Sequence, residues 1–169
     1  MSLIQPVEHG AVIVRAADAE IVGQSPSTIR LLADSSATGG ALSTQRVTLG
    51  RGADGATPHH HTASSELFYV LDGEAQILVG ERVVTAGEGD LVIVPPNTPH
   101  AFGAAPDAGA DLLIVITPGV ERFDYFRLLG RLGRGEATLE ELLEAQERFD
   151  NHFLDSPLWR ETRAVENDG

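Results

Sequence analysis

An all-β domain with a short helical extension is the architecture this sequence predicts. Three observations carry the expectation. Short apolar runs with β-type alternation recur from about residue 28 to residue 117. Gly, Asp, Pro and Asn fill the gaps between them. After Pro118 the apolar period changes to 3.6. Many short strands at this spacing indicate a sandwich or a barrel.

The strands are expected at 28–33, 41–49, 66–71, 75–79, 82–85, 91–94 and 112–117. Gly39-Gly40, Gly50 to Gly55, Asp72-Gly73, Gly87 to Asp90, Pro95 to Pro99 and Pro106 to Gly109 separate them. Asp72-Gly73 reads as a two-residue type I′ hairpin turn, because that turn needs positive φ at both central residues. The implied register opposes Leu71 to Glu74, Val70 to Ala75, Phe68 to Ile77 and Glu66 to Val79. Opposed residues share a face. One face then carries Glu66, Phe68, Val70, Ala75, Ile77 and Val79, and it is apolar except for Glu66. A lone carboxylate there is expensive unless it is paired or binds a metal. The other face, Leu67, Tyr69, Leu71, Glu74, Gln76 and Leu78, also carries large apolar groups and suits a second sheet or a partner subunit.

Helices are expected near 119–130 and 138–150. Val120, Phe123, Phe126 and Leu129 share one stripe; Leu139, Leu142, Leu143, Gln146 and Phe149 mark the next. Thr138 followed by Glu141 reads as a capping box. The helices are expected to cover one end or face of the barrel, and the chain from about Glu161 reads as frayed. The division is 1–38 as N-terminal arm and first strands, 39–118 as barrel core, and 119–169 as helices and tail, one domain in all.

The length of 169 residues suits a single domain burying roughly 70% of its unfolded surface. The absence of cysteine excludes disulfides, thiolate zinc sites and iron–sulfur clusters. A net charge of −13 argues against nucleic acid and anionic membrane surfaces as partners. No apolar run approaches the roughly 20 residues of a membrane helix, and the N-terminus lacks the pattern of a signal peptide. A cytoplasmic location is the expectation.

Four of the six histidines fall between Pro58 and Phe102. His59, His60 and His61 are consecutive, Glu66 follows, and His100 comes after Gly89-Asp90 and a Pro95-Pro96-Asn97 turn. Imidazole and carboxylate are ligands that borderline divalent metals favour. In an extended segment His59 and His61 point the same way and His60 the opposite way. His9 and His152 read as surface residues. Ser64 and Ser65 lie near the histidines, but no nucleophile elbow or phosphate loop accompanies them.

These residues resemble the two motifs of the cupin superfamily. His59-x-His61, four residues, Glu66, six residues and Gly73 fit the first motif, with Ala53 in the slot of its opening glycine. Gly89, Pro95 and His100 fit the second, with Asn97 in place of a glycine and Ala104 in place of an asparagine. Asn tolerates the left-handed conformation such a turn requires. The resemblance covers roughly 40–117 and implies a cupin-type jelly-roll β-barrel. By position it implies His59, His61, Glu66 and His100 as ligands of one divalent transition metal (Fe, Mn, Ni, Co or Zn). The stretch from Pro118 to Phe126 also resembles a segment of bacterial quercetinase-like cupins. The family likeness implies a metal-dependent dioxygenase acting on an aromatic, polyphenol or diketone-like substrate. Glu66 would be both ligand and catalytic base, with its pKa raised by an apolar pocket and opposed by the metal. The alternatives are a redox-neutral isomerase, cyclase or lyase and a non-catalytic binding domain. A homodimer formed through the sheets is implied as well.

Overall fold

The computed structural model describes residues 5, 6 and 10–165. Its strands are β1 (Gln5–Pro6), β2 (Val12–Ile13), β3 (Ile21–Gln24), β4 (Ser27–Ala33), β5 (Ser43–Leu49), β6 (His59–His60), β7 (Ser65–Val79), β8 (Arg82–Gly87), β9 (Leu91–Val94), β10 (His100–Ala104), β11 (Ala110–Thr117) and β12 (His152–Phe153). The helices are α1 (Phe123–Gly133), α2 (Leu139–Glu144), α3 (Gln146–Phe149) and α4 (Pro157–Val165). His9 lies outside the described residues.

β7 is the spine of the jelly roll. Its first half pairs antiparallel with β9 and β11, and its second half with β8 and β10. From β11 the sheet continues through β5 and β4 to β3; from β10 it continues through β6 to β12. The two curled halves close over Val47, Leu49, Phe68, Val70, Ala75, Ile77, Phe102, Leu112 and Ile114, all buried. The all-β expectation holds, and the predicted strands are present, with β1, β2, β3, β6, β10 and β12 added to them.

The expected turn at Asp72-Gly73 is absent. Both residues lie inside β7, where Asp72 opposes Asp111 and Gly73 opposes Ala110. Gly73 does take a positive φ of 77°, but it serves close approach and not chain reversal. A Cβ there would stand 2.0 Å from the carbonyl oxygen of Gly109. The register with β11 slips at this point: Asp111 faces Asp72, while Leu112 faces Val70, so Leu71 is the extra residue of a bulge. A bulge shifts the parity of a strand. Glu66, Phe68 and Val70 therefore share the inner face with Ala75, Ile77 and Val79, as the hairpin reading required, by a different route.

The other face divides. Gln76 and Leu78 are covered by α4, whose Trp159 packs on Leu78 and Ala101. Tyr69 stays 39% exposed, beside Leu91 at 53% and Ile93 at 56%. The helices also differ from expectation in detail. The first begins at Phe123, not 119, where the Asp34 carboxylate accepts from the backbone N–H of Arg122 (2.6 Å) and Phe123 (3.2 Å). The second opens with the expected Thr138–Glu141 capping box but divides at Ala145. Gln146 Nε2 donates to the Leu143 carbonyl, which a continuous helix would use itself, and Gln146 Oε1 accepts from Phe153 N–H. Of that stripe Leu142 and Phe149 are buried, whereas Leu139 and Leu143 are exposed.

The reading of a frayed tail from Glu161 is overturned by α4 as far as Val165, and its remainder, 166–169, lies outside the described residues. Ser156 caps it, and Arg163 near its end bonds Asp54, Gln76 Oε1 and the carbonyls of Ala104 and Gly52. Ser156-Pro157, an N-cap followed by proline at the first helical position, was its signal in the sequence.

Gly73→Ala combines a disfavoured φ with a backbone clash, so it should lower stability by about 2 kcal/mol or more. Urea unfolding followed by circular dichroism measures this. A change within error would show that β7 does not depend on this glycine.

Candidate metal centre

Four side chains from three parts of the chain meet at one end of the barrel. His59 stands in β6, opposite His100 at the start of β10. Glu66 lies in the first half of β7, flanked by Val94 of β9 and Ile116 of β11. His61 follows β6 in a loop tied down by Asn97, whose N–H donates to the His61 carbonyl at 2.7 Å. Asn97 takes the left-handed conformation expected of it, with φ 61°. One potential ligand atom from each of His59, His61, Glu66 and His100 lies within 4.8 Å of all the others, and all four residues are buried.

The hydrogen bonds fix the imidazole tautomers. His59 Nδ1 bonds the Thr57 carbonyl at 2.7 Å, His61 Nδ1 the Asp150 carbonyl at 2.7 Å, and His100 Nδ1 the Thr98 carbonyl at 2.8 Å. A carbonyl only accepts, so each Nδ1 carries a proton and each neutral ring turns a bare Nε2 inward. There the Glu66 carboxylate waits, its Oε2 2.6 Å from His100 Nε2, 2.8 Å from His61 Nε2 and 3.9 Å from His59 Nε2. Acceptors facing acceptors in a buried space need positive charge between them. A proton on His100 supplies some: burial pulls its pKa down, but the charge and hydrogen bond of Glu66 outweigh burial and raise it. For Glu66 burial pushes upward, and His100 carrying that proton overcomes it, holding the carboxyl well below its usual range. The expected rise of the Glu66 pKa is thus reversed. His59 is pushed far down by burial and by His100, so it stays neutral.

A divalent ion would meet the same need with more charge. Around such an ion, N and O donors at about 2.0–2.2 Å stand about 3–4 Å apart, so the observed cluster fits after a small spreading of Glu66 from its two close neighbours. The backbone carbonyls that hold the three rings are the outer contacts a metal-binding histidine uses. Asp150, which sequence reasoning passed over, belongs to them. Its carbonyl takes His61 while its carboxylate accepts from the N–H groups of Thr62 and Ala63, each at 3.0 Å.

His60 points away, as its parity required. It stacks on His152, ring centroids 5.2 Å apart. His152 is not the ordinary surface residue expected: it is half-buried, pairs across from His60 and bonds Asp150. Ser64 is buried and spends its hydroxyl on the Pro118 carbonyl, in keeping with a structural role.

His59 and Glu66 also border a cavity of about 370 Å³ between the barrel mouth and α1 and α2. Val22, Ile29, Val47, Phe102, Phe126, Leu129 and Leu142 give it an apolar wall, and Gln45, Arg122, Tyr125 and Asn151 interrupt that wall. None of these four polar residues was singled out from the sequence as part of the site. Arg122 had a detectable signal, since Arg122, Phe126 and Leu129 share one side of a helix and a cation on that side is anomalous.

A family model for the cupin domain matches residues 45–116. An uncharacterised protein of Methanocaldococcus jannaschii is 33% identical over 42 residues, 25% of this chain and 34% of that protein, so the match spans about a third of that relative's length. Among solved structures, a predicted oxalate decarboxylase of Thermotoga maritima superposes with a TM-score of 0.56 and 20% identity, over 62% of this chain and 97% of its own. An RmlC-like cupin of Shewanella frigidimarina gives 0.55 and 23%, over 70% and 96%. A Streptomyces PAC13 variant with uridine gives 0.51 and 20%, over 65% and 84%. At these identities the likeness is one of fold.

Metal binding should displace the proton shared by His100 and Glu66. Because His100 titrates above the ordinary imidazole value of 6.5, affinity for Co(II) or Zn(II) should rise with pH through that range and level off above it. Calorimetry at pH 6.5, in buffers of differing ionisation enthalpy, should register about one proton released per ion. Binding without proton release would contradict this charge assignment.

Proposed function

This chain belongs to the cupin superfamily, and from that premise we propose that it is a metal-dependent dioxygenase acting on a small aromatic, polyphenol or diketone-like substrate. The observation that supports the reading best is the apolar cavity bordered by two of the four candidate ligands. His59, His61, Glu66 and His100 are the proposed ligands. Three neutral imidazoles and one carboxylate leave a divalent ion with net positive charge and open positions. A redox-active ion held there would supply Lewis acidity and a site for dioxygen.

The residues divide the remaining work. The cavity wall excludes water and holds the body of the substrate, and its size admits a small molecule. Glu66 is ionised at neutral pH, because His100 holds it so, and is ready to accept a proton from a substrate hydroxyl or acidic C–H. Once it has spread from its neighbours to ligate, its basicity falls further, so it serves acidic substrates best. The exposed strip of Tyr69, Leu91 and Ile93 supports a homodimer joined through that sheet face.

One observation favours a second reading, a redox-neutral lyase or isomerase. Tyr125 lines the cavity, and burial pushes its pKa up. Its phenol is therefore protonated at neutral pH and can return a proton to a substrate after Glu66 has removed one.

Oxygen consumption by protein loaded with Fe(II), Mn(II), Co(II) or Ni(II), measured with a flavonol, a β-diketone and an aromatic hydroxy acid, separates the readings. The dioxygenase reading expects uptake of one dioxygen per substrate lost and a fall in kcat of about 100-fold or more in Glu66→Gln. Substrate loss under nitrogen at an undiminished rate would replace it with the redox-neutral reading. Inertness in every arm would contradict both.

A further inference from the structure

Arg122 presents a buried charge that no ion pair among the described residues takes up. Its guanidinium is fully enclosed, with the residue 4% exposed, and it lines the cavity. No carboxylate among the described residues pairs with it. The three acids that act on it are engaged elsewhere: Glu66 faces His61 and His100, Asp34 holds the N–H groups of Ser35, Arg122 and Phe123, and Asp150 holds Thr62, Ala63 and His152. Among the described residues the acceptor that reaches the guanidinium is Asn151 Oδ1, 3.3 Å from each terminal nitrogen. Tyr125 and Phe126 stack near it, at 4.3 and 5.1 Å from their ring centres. Stacking compensates less than burial of a full charge requires.

Three buried polar atoms at this spot have no protein partner: Arg122 Nε, Asn151 Nδ2 and Gln45 Oε1. The first two are donors. The amide of Asn151 cannot be turned the other way, since its oxygen already serves the guanidinium. The cation's own Nε and the amide of Asn151 beside it form a receptor for an anion with paired oxygens, and the planar guanidinium matches a carboxylate best. Gln45 Oε1, an acceptor, suits a hydroxyl or N–H elsewhere on the same molecule. Apart from Ser27, Thr57 and the two candidate ligands His59 and Glu66, the rest of the wall is apolar or aromatic.

We propose that Arg122 and Asn151 form a carboxylate-binding subsite in this cavity, and that the substrate is a small carboxylic acid with an aromatic or otherwise apolar body. The inference rests on the reading of the cavity as the substrate pocket. It adds an orientation: the carboxylate lies at Arg122, and the reacting part faces Glu66 and His59. It also narrows the substrate class to compounds that carry their own negative charge.

Benzoate and its neutral analogue benzamide test this by titration calorimetry on the full chain, both chelator-stripped and loaded with Ni(II). The expected result is benzoate binding to the stripped protein at least tenfold tighter than benzamide. Arg122→Met should lose tenfold or more of the benzoate affinity and change benzamide less than twofold, and Arg122→Lys should retain part of the preference. Equal binding of the two compounds by the unmodified protein, or no binding of either, would overturn the proposal. So would a benzoate preference that survives Arg122→Met or appears only with metal. Should Arg122→Met fail to fold, the pair of compounds on unmodified protein still decides. The metal reading is judged apart: stoichiometric Ni(II) binding without benzoate preference defeats this inference alone, and benzoate preference without Ni(II) binding defeats the metal reading alone.

Discussion

Mutual repulsion between electron pairs is the constraint on which this structure turns. Three imidazole nitrogens and a carboxylate aim at one buried point, and backbone carbonyls at Thr57, Thr98 and Asp150 hold the rings so that they cannot turn away. Such a cluster is tolerable only around a cation. A proton on His100 satisfies part of the need, and a metal would satisfy all of it. The surrounding fold acts as a clamp that keeps four acceptors together long enough to be useful.

The clamp depends on β7 serving both halves of the barrel. Its bulge at Leu71 lets Glu66 and Ile77 face the same interior although they sit on strand segments that pair with different neighbours. β6 and β10 bring His59 against His100 in direct register. The helices then close the mouth: α1 and α2 roof the cavity, and the turn after α3 supplies the carbonyl that orients His61. Without the extension the four candidate ligands would stand in an open cup, and Arg122, Tyr125 and Asn151 would have no place beside them.

Much of this was legible in the chain, where the deciding physics is local. The opposite facing of His60 and His61 follows from strand parity, and the left-handed turn at Asn97 from side-chain chemistry. The capping box at Thr138 needs only four residues to be recognised. Misreadings arose where distant contacts overrule local preference. Asp72-Gly73 has the composition of a hairpin turn, yet its glycine lets the carbonyl of Gly109 approach from another strand. α4 was missed because what orders it lies about a hundred residues away, at Gly52, Ala53 and Asp54. Arg122 was passed over for a related reason. A cation in a sequence is ordinarily solvated; its place on the side of Phe126 and Leu129 was a hint, and the packing of α1 on the barrel shows that this one is enclosed.

X-ray absorption at the metal edge of the loaded protein tests the central claim most directly. The account predicts one ion per chain, with three imidazole nitrogens and at least one oxygen at about 2.0–2.2 Å. A shell of oxygens with one imidazole or none would contradict it, because the ion would then lie somewhere other than among His59, His61, Glu66 and His100.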